Sequence, residues 1–220
     1  MRLRVFPVLI FMAALATMAT AQSTPRASLL SLSKQDHTLS IIDPTTLKTV
    51  ASVPVGDDPH EVVASADGRT AYVSNYGFGA FHTLAVIDLV QAKALEPVDL
   101  GALRGPHGLY FTEGKVWFTA EAAKAIGSYD PSSGKIDWIM GTGQNRTHML
   151  YVFAGAKRIL TTNVNSATVT VLDRTERPAG MPQGPPPGMK PTQGGPGGPS
   201  PPSGPDWNET VIQVGRGSEG

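Results

Sequence analysis

The chain has 220 residues, 40% of them hydrophobic and 16% charged, and its 18 basic and 18 acidic residues leave no formal net charge. That balance removes the electrostatic case for nucleic acid or an anionic membrane as partner. The absence of cysteine excludes disulfides, thiolate metal sites and cysteine nucleophiles, while 24 glycines and 19 prolines favour turn-rich β structure over helices.

The first residues read as a secretory leader. Arg2 and Arg4 supply a positive start, Val5 to Met18 is an almost unbroken apolar run, and Ala19-Thr20-Ala21 is a small-residue cleavage site before Gln22. The run is short against the ~20 residues of a bilayer span, so a cleavable signal over residues 1–21 is favoured over an uncleaved anchor helix. The expectation is a periplasmic or secreted protein with no membrane span after cleavage at Ala21.

Beyond the leader one pattern recurs. Thr38 to Asp43, Thr83 to Asp88, Ala125 to Asp130 and Thr168 to Asp173 are strand-like runs ending in Asp, and the aspartates recur every 42–45 residues. That is the period of a four-stranded propeller blade. A β-rich run precedes each of them, as in Ala71 to Asn75 or Val116 to Ala120. A turn of the type Asp43-Pro44-Thr45-Thr46 follows, in which Pro presets φ and Asp bonds its own backbone two residues on. A further strand then ends at Gly, as in Lys48 to Gly56. The fold class expected over 22–220 is all-β, an open β-propeller of about four blades near 28–56, 60–101, 107–143 and 148–215.

Tyr72-Val73-Ser74-Asn75, preceded by Asp58-Pro59-His60-Glu61-Val62-Val63-Ala64-Ser65-Ala66-Asp67-Gly68, resembles the repeat of the YVTN-type β-propellers, and Ile159 to Asn163 and Val116 to Thr119 are looser copies. The resemblance is specific for fold and implies little about chemistry. It implies kinship with seven-bladed periplasmic and surface proteins, next to lactonase-like and quinoprotein-like propellers. The first blade lacks an inner strand and none follows Gly220, so the chain reads as the N-terminal part of a longer protein; the alternative is a natural short form completed by self-association.

Pro178 to Pro205 interrupts the fourth blade between its third and fourth strands, the latter expected to start near Trp207. Of its 28 residues 19 are Pro or Gly, and its one charge is Lys190. Such a segment buries too little apolar surface to offset its ordering entropy, so a disordered loop is expected over 178–205. Pro182-Gln183-Gly184-Pro185 and Pro196-Gly197-Gly198-Pro199 also match a polyproline partner motif, against the simpler reading of a tolerated surface insertion.

The candidate site residues come from repeat equivalence. His60, His107 and His148 open the inner strand of successive blades, and Glu219 holds the same place after Gly215. Three of the five histidines thus share one repeat position, which a propeller arranges as a ring around the channel mouth. Three readings stand side by side: structural histidines that fix blade packing, a polar pocket for a small ligand, or a site using His60, His107, His148 and Glu219 for a divalent metal or acid–base chemistry. A divalent ion is the one cofactor these residue types suit. Arg104 and Arg146 lie near the same rim and suit an anionic ligand, or are solvated loop cations. Glu61 reads as a half-exposed strand residue. Tyr72, Trp117, Phe118 and Tyr151 read as blade-packing core. No phosphate loop or nucleophile elbow is present. The expected function is an extracytoplasmic binding or interaction scaffold for an unspecified protein or small molecule at the propeller face. The alternative is a lactonase- or lyase-like enzyme using the histidine ring; a quinoprotein-like redox subunit has no cofactor motif to support it.

Overall fold

Period-two alternation dominates the chain, and strands follow from it. A computed structural model describes residues 27–177 and 204–219, and all structural statements below concern these residues. They form four antiparallel sheets. The first holds β1 (Leu29–Ser33), β2 (Thr38–Ile42) and β3 (Thr49–Pro54). The second holds β4 (Pro59–Ala64), β5 (Thr70–Asn75), β6 (Thr83–Asp88) and β7 (Lys93–Asp99). The third holds β8 (Pro106–Thr112), β9 (Lys115–Ala120), β10 (Ala125–Asp130) and β11 (Lys135–Gly141). The fourth holds β12 (Thr147–Val152), β13 (Arg158–Asn163), β14 (Thr168–Arg177) and β15 (Gly204–Gln213). Each sheet is a simple meander in chain order. The helical segments among the described residues are single 3-10 turns at Gly77–Gly79 and Ala154–Ala156. None of these helices is long and apolar enough to cross a membrane.

The sheets stack face to face, so both faces of an internal sheet are buried. Successive residues of one strand therefore serve two cores. Val73 packs with Leu39, Ile41 and Val53 between the first two sheets. Its neighbour Tyr72 packs with Leu84, Leu109 and Phe118 between the second and third. Trp117, adjacent to Phe118, packs with Ile126, Leu150 and Ile159 between the third and fourth. Tyr151 departs from the expected core. It is 49% exposed, because its neighbours on β12, Leu150 and Val152, take the buried direction. It lies instead beside Tyr110 and Phe153, with ring centroids 4.9 Å and 5.0 Å away.

Phe118 is fully buried and pairs across the sheet with Gly127, where a Cβ would come within 2.6 Å of the Phe118 ring. The glycine makes room for the ring. Phe118→Ala should cost about 3–5 kcal/mol, measured by urea denaturation, since the cavity lies between two rigid sheets that cannot collapse into it.

The aspartates that end the repeated runs act as local turn formers. The carboxylates of Asp43, Asp88 and Asp130 each accept the backbone N–H two residues on, at 2.8 Å. Asp173 does not follow them. Its carboxylate takes a two-point contact from Arg158 of β13, at 2.6 Å and 3.0 Å, and β14 continues to Arg177. The fourth strand accordingly begins at Gly204, with Gly204 opposite Arg177 and Pro205 opposite Glu176, and not near Trp207. A proline is tolerated there because β15 is an edge strand, whose outer N–H groups have no ladder to serve. The expectation of disorder over 178–205 thus fails at Gly204 and Pro205, and its remainder lies outside the described residues.

Candidate functional site

One small device, repeated three times, positions the histidines. The inner strands β4, β8 and β12 each carry a register shift just after their first residue, at Pro59/Val62, Pro106/Leu109 and Thr147/Leu150. The second strand fills the gap with a hydroxyl. Ser74, Thr119 and Thr162 accept the N–H of Glu61, Gly108 and Met149, at 3.0, 2.8 and 3.2 Å. The same hydroxyls donate onward to the carbonyls of His107, His148 and Glu219 in the next repeat, at 2.8, 2.8 and 3.2 Å. Each hydroxyl therefore closes its own bulge and ties its sheet to the next one. Two residues before each repeated position the backbone is left-handed: Asp58 (φ 47°), Gly105 (φ 71°), Arg146 (φ 57°) and Gly217 (φ 77°). This turn reverses the chain into the inner strand and delivers His60, His107, His148 and Glu219 to equivalent places.

The three histidines meet. The His60 and His107 ring centroids are 4.6 Å apart, and those of His107 and His148 are 3.9 Å apart. His107 and His148 are buried and His60 is partly buried.

Each histidine faces the residue one step beyond the second strand of the preceding repeat, which is β1 in the three-stranded first sheet, β5 in the second and β9 in the third. Those residues are Lys34, Tyr76 and Glu121, equivalent by the pairings Ser33–Thr38, Asn75–Thr83 and Ala120–Ala125. Lys34 donates to Nε2 of His60 at 2.8 Å and pairs with Asp58 at 3.1 Å. Nδ1 of His60 therefore carries the proton, which it gives to the Asp58 carbonyl at 3.1 Å. Tyr76 meets His107 ring to ring, with centroids 5.2 Å apart. Its hydroxyl goes to Oε2 of Glu121 at 2.5 Å. Oε1 of Glu121 takes Nδ1 of His148 at 2.5 Å, with Nε of Arg146 at 3.5 Å. Nδ1 of His107 is buried with no hydrogen-bond partner among the described residues.

The electrostatics follow from this arrangement. Burial, then the neighbouring His148 and His60, push His107 down to about 3, so it is neutral at any physiological pH. Burial alone disfavours charge on Glu121, but the hydrogen bonds from His148 and Tyr76 outweigh it and hold the carboxyl below its ordinary value. Burial, reinforced by the bond to Glu121, pushes Tyr76 up to about 12. Glu61 is raised by burial, against the opposing pull of His148 and His60.

The residues singled out from sequence divide. His60, His107 and His148 come together. Glu219 reaches only the edge, its carboxylate 3.9 Å from Arg146 and mostly exposed. Arg146 joins the cluster, whereas Arg104 is exposed and has no side-chain ion pair among the described residues. Of His60, His107, His148 and Glu219, two fall in the group whose possible ligand atoms converge within 4.8 Å of one another, which is His107, Glu121 and His148. His60 is already engaged by Lys34 and Asp58. Tyr76 and Glu121 escaped the sequence reading because they share a repeat position without sharing chemistry; the signal for them was the place itself, one residue past each second strand.

A cleft of about 350 Å³ adjoins the cluster, lined in part by Tyr76, Phe78, Glu121, Lys124, Asn145 and Arg146. Phe78 is 92% exposed and lies on a left-handed turn (φ 52°) between Gly77 and Gly79.

No protein-family model matches the chain, and no curated protein matches it. Among solved structures the chain is similar to the hydrazine synthase of Kuenenia stuttgartiensis, with a TM-score of 0.56 and 14% identity over 94% of this chain and 67% of that one. Identity at that level speaks for architecture and carries no chemistry across. What the two share is a β-propeller-like, all-β fold.

Proposed function

We propose that the chain is an exported, YVTN-type propeller-like binding scaffold whose ligand site is the cleft beside the histidine cluster. The leader-like Arg2, Arg4 and Ala19-Thr20-Ala21 support export, and the Tyr72-Val73-Ser74-Asn75 repeat supports the family. The observation that carries the ligand site is convergence: three histidines that separate blade cores could have kept apart meet in one cluster with Tyr76, Glu121 and Arg146. The cleft offers donors. Lys124, Arg146 and the amides of Asn145 and Asn165 line it, while its carboxylate, Glu121, is already committed to His148 and Tyr76. A small carboxylate-bearing molecule matches that balance.

Ligand-observed saturation-transfer NMR with a panel of lactate, malate, succinate and citrate tests this. Transfer to at least one acid is expected, falling to background in the Lys124→Ala/Arg146→Ala double variant. No transfer to any of them, or equal transfer to the variant, overturns the carboxylate site. One observation favours an enzyme instead: a carboxylate orienting Nδ1 of an imidazole is how a general base is held. γ-Butyrolactone in the same panel covers that reading, because its hydrolysis by the protein, lost in His148→Gln, would make the site catalytic.

A further inference from the structure

We infer that His107, Glu121 and His148 form a binding site for a first-row transition-metal dication. The inference rests on the cluster being the binding face, and deepens that reading by naming an ion that a carboxylate ligand would meet there. Three independent features point to it. Two imidazoles and one carboxylate, all buried, place one ligand atom each within 4.8 Å of one another. Nδ1 of His107 is buried without a partner, a cost that no side chain among the described residues relieves. The surrounding groups already behave as an outer shell: Tyr76 donates to the distal oxygen of Glu121, and Arg146 flanks its proximal oxygen.

The occupancy step balances without loss of a proton. The ion takes lone pairs from Nδ1 of His107 and Oε1 of Glu121. It also takes the place of the hydrogen now shared between Nδ1 of His148 and Glu121, while His148 carries its proton on Nε2 instead. Bonds of about 2.0–2.2 Å set neighbouring ligand atoms roughly 3.4 Å apart, so Nδ1 of His148 and Oε1 of Glu121, now 2.5 Å apart, open by about 1 Å to admit the ion, and His107, within 4.8 Å of both, adjusts by a similar amount. Three protein ligands leave a coordination position open, and Glu121 also lines the cleft from which water or a carboxylate would fill it. Two nitrogen donors select Zn²⁺ and its neighbours over Mg²⁺ and Ca²⁺, which prefer oxygen.

The test is calorimetric titration of the chelator-treated full chain with ZnCl₂ and, separately, MgCl₂. One Zn²⁺ per chain is expected, with affinity lowered at least about 100-fold in His107→Gln and in Glu121→Gln, unchanged in His82→Gln at an exposed histidine, and no comparable Mg²⁺ binding. Saturation lacking in the folded wild-type chain, or retained in His107→Gln, overturns the site. Should either variant fail to fold, X-ray absorption on the Zn²⁺-loaded wild type decides: two imidazole nitrogens in the first coordination sphere support the site, and fewer overturn it. The acid panel is run on the metal-free and the Zn²⁺-loaded protein. Acid binding without Zn²⁺ binding overturns the metal alone, and Zn²⁺ binding without acid binding overturns the carboxylate reading alone.

Discussion

Gly108→Ala should destabilise the protein by about 3 kcal/mol, at the upper end of what overpacking costs. A Cβ at Gly108 would lie 2.5 Å from the backbone oxygen of His148 and 2.9 Å from the Cα of Met149. Neither atom can retreat easily. The His148 carbonyl is held by the Thr119 hydroxyl at 2.8 Å, and the Gly108 N–H is held by the same hydroxyl at 2.8 Å. Backbone meets backbone here, so no side-chain rotation relieves the clash and whole sheets must separate. Gly141→Ala is the matched control, because nothing lies within 4 Å of its Cβ and its φ is ordinary; it should stay within about 0.5 kcal/mol of wild type. Urea denaturation followed by tryptophan fluorescence measures both. Equal midpoints for the two variants would mean that the third and fourth sheets are not in close backbone contact at the histidines.

The second large effect is expected for Thr119→Val, which keeps the side-chain shape and removes the hydroxyl. Thr119 is fully buried, and its loss strands two groups together, the N–H of Gly108 and the carbonyl of His148. Each unsatisfied buried group costs about 1–3 kcal/mol, so about 2–4 kcal/mol is expected, with loss of amide-exchange protection at Gly108. Thr162→Val removes the equivalent hydroxyl from a more exposed place, with longer bonds of 3.2 Å on both sides, and should cost about 1 kcal/mol or less. The order Thr119 above Thr162 is the diagnostic result. A reversed order would show that the bridging hydroxyls do not couple the sheets.

Local chemistry explains what was legible without coordinates. The turns after Asp43, Asp88 and Asp130 are made by a carboxylate reaching two residues along its own chain, and such a signal is complete within a few residues. Successive residues of a strand point to opposite faces, and in the internal sheets each face has a core to meet. The histidines were legible through repetition: one residue type at one repeat position must appear at one height in every sheet. The same reasoning misplaced the strand after Asp173, because the distinguishing fact was Arg158 reaching across from the neighbouring strand, fifteen residues earlier.

Repeat period, strand order and the equivalence of His60, His107, His148 and Glu219 are thus written in the chain itself, since each depends on near neighbours or on identity between repeats. The composition of the candidate site is not. Lys34, Tyr76 and Glu121 have nothing in common as residues, and only stacking of one sheet on the next brings each against the histidine of its successor. The two arginines show the same limit. Arg146 occupies the left-handed position two residues before its histidine and turns toward Glu121, whereas in the preceding repeat Gly105 takes that position and Arg104, one residue earlier, is left in solvent. A single step along the backbone, resolved only by the turn in three dimensions, separates a member of the cluster from a surface cation.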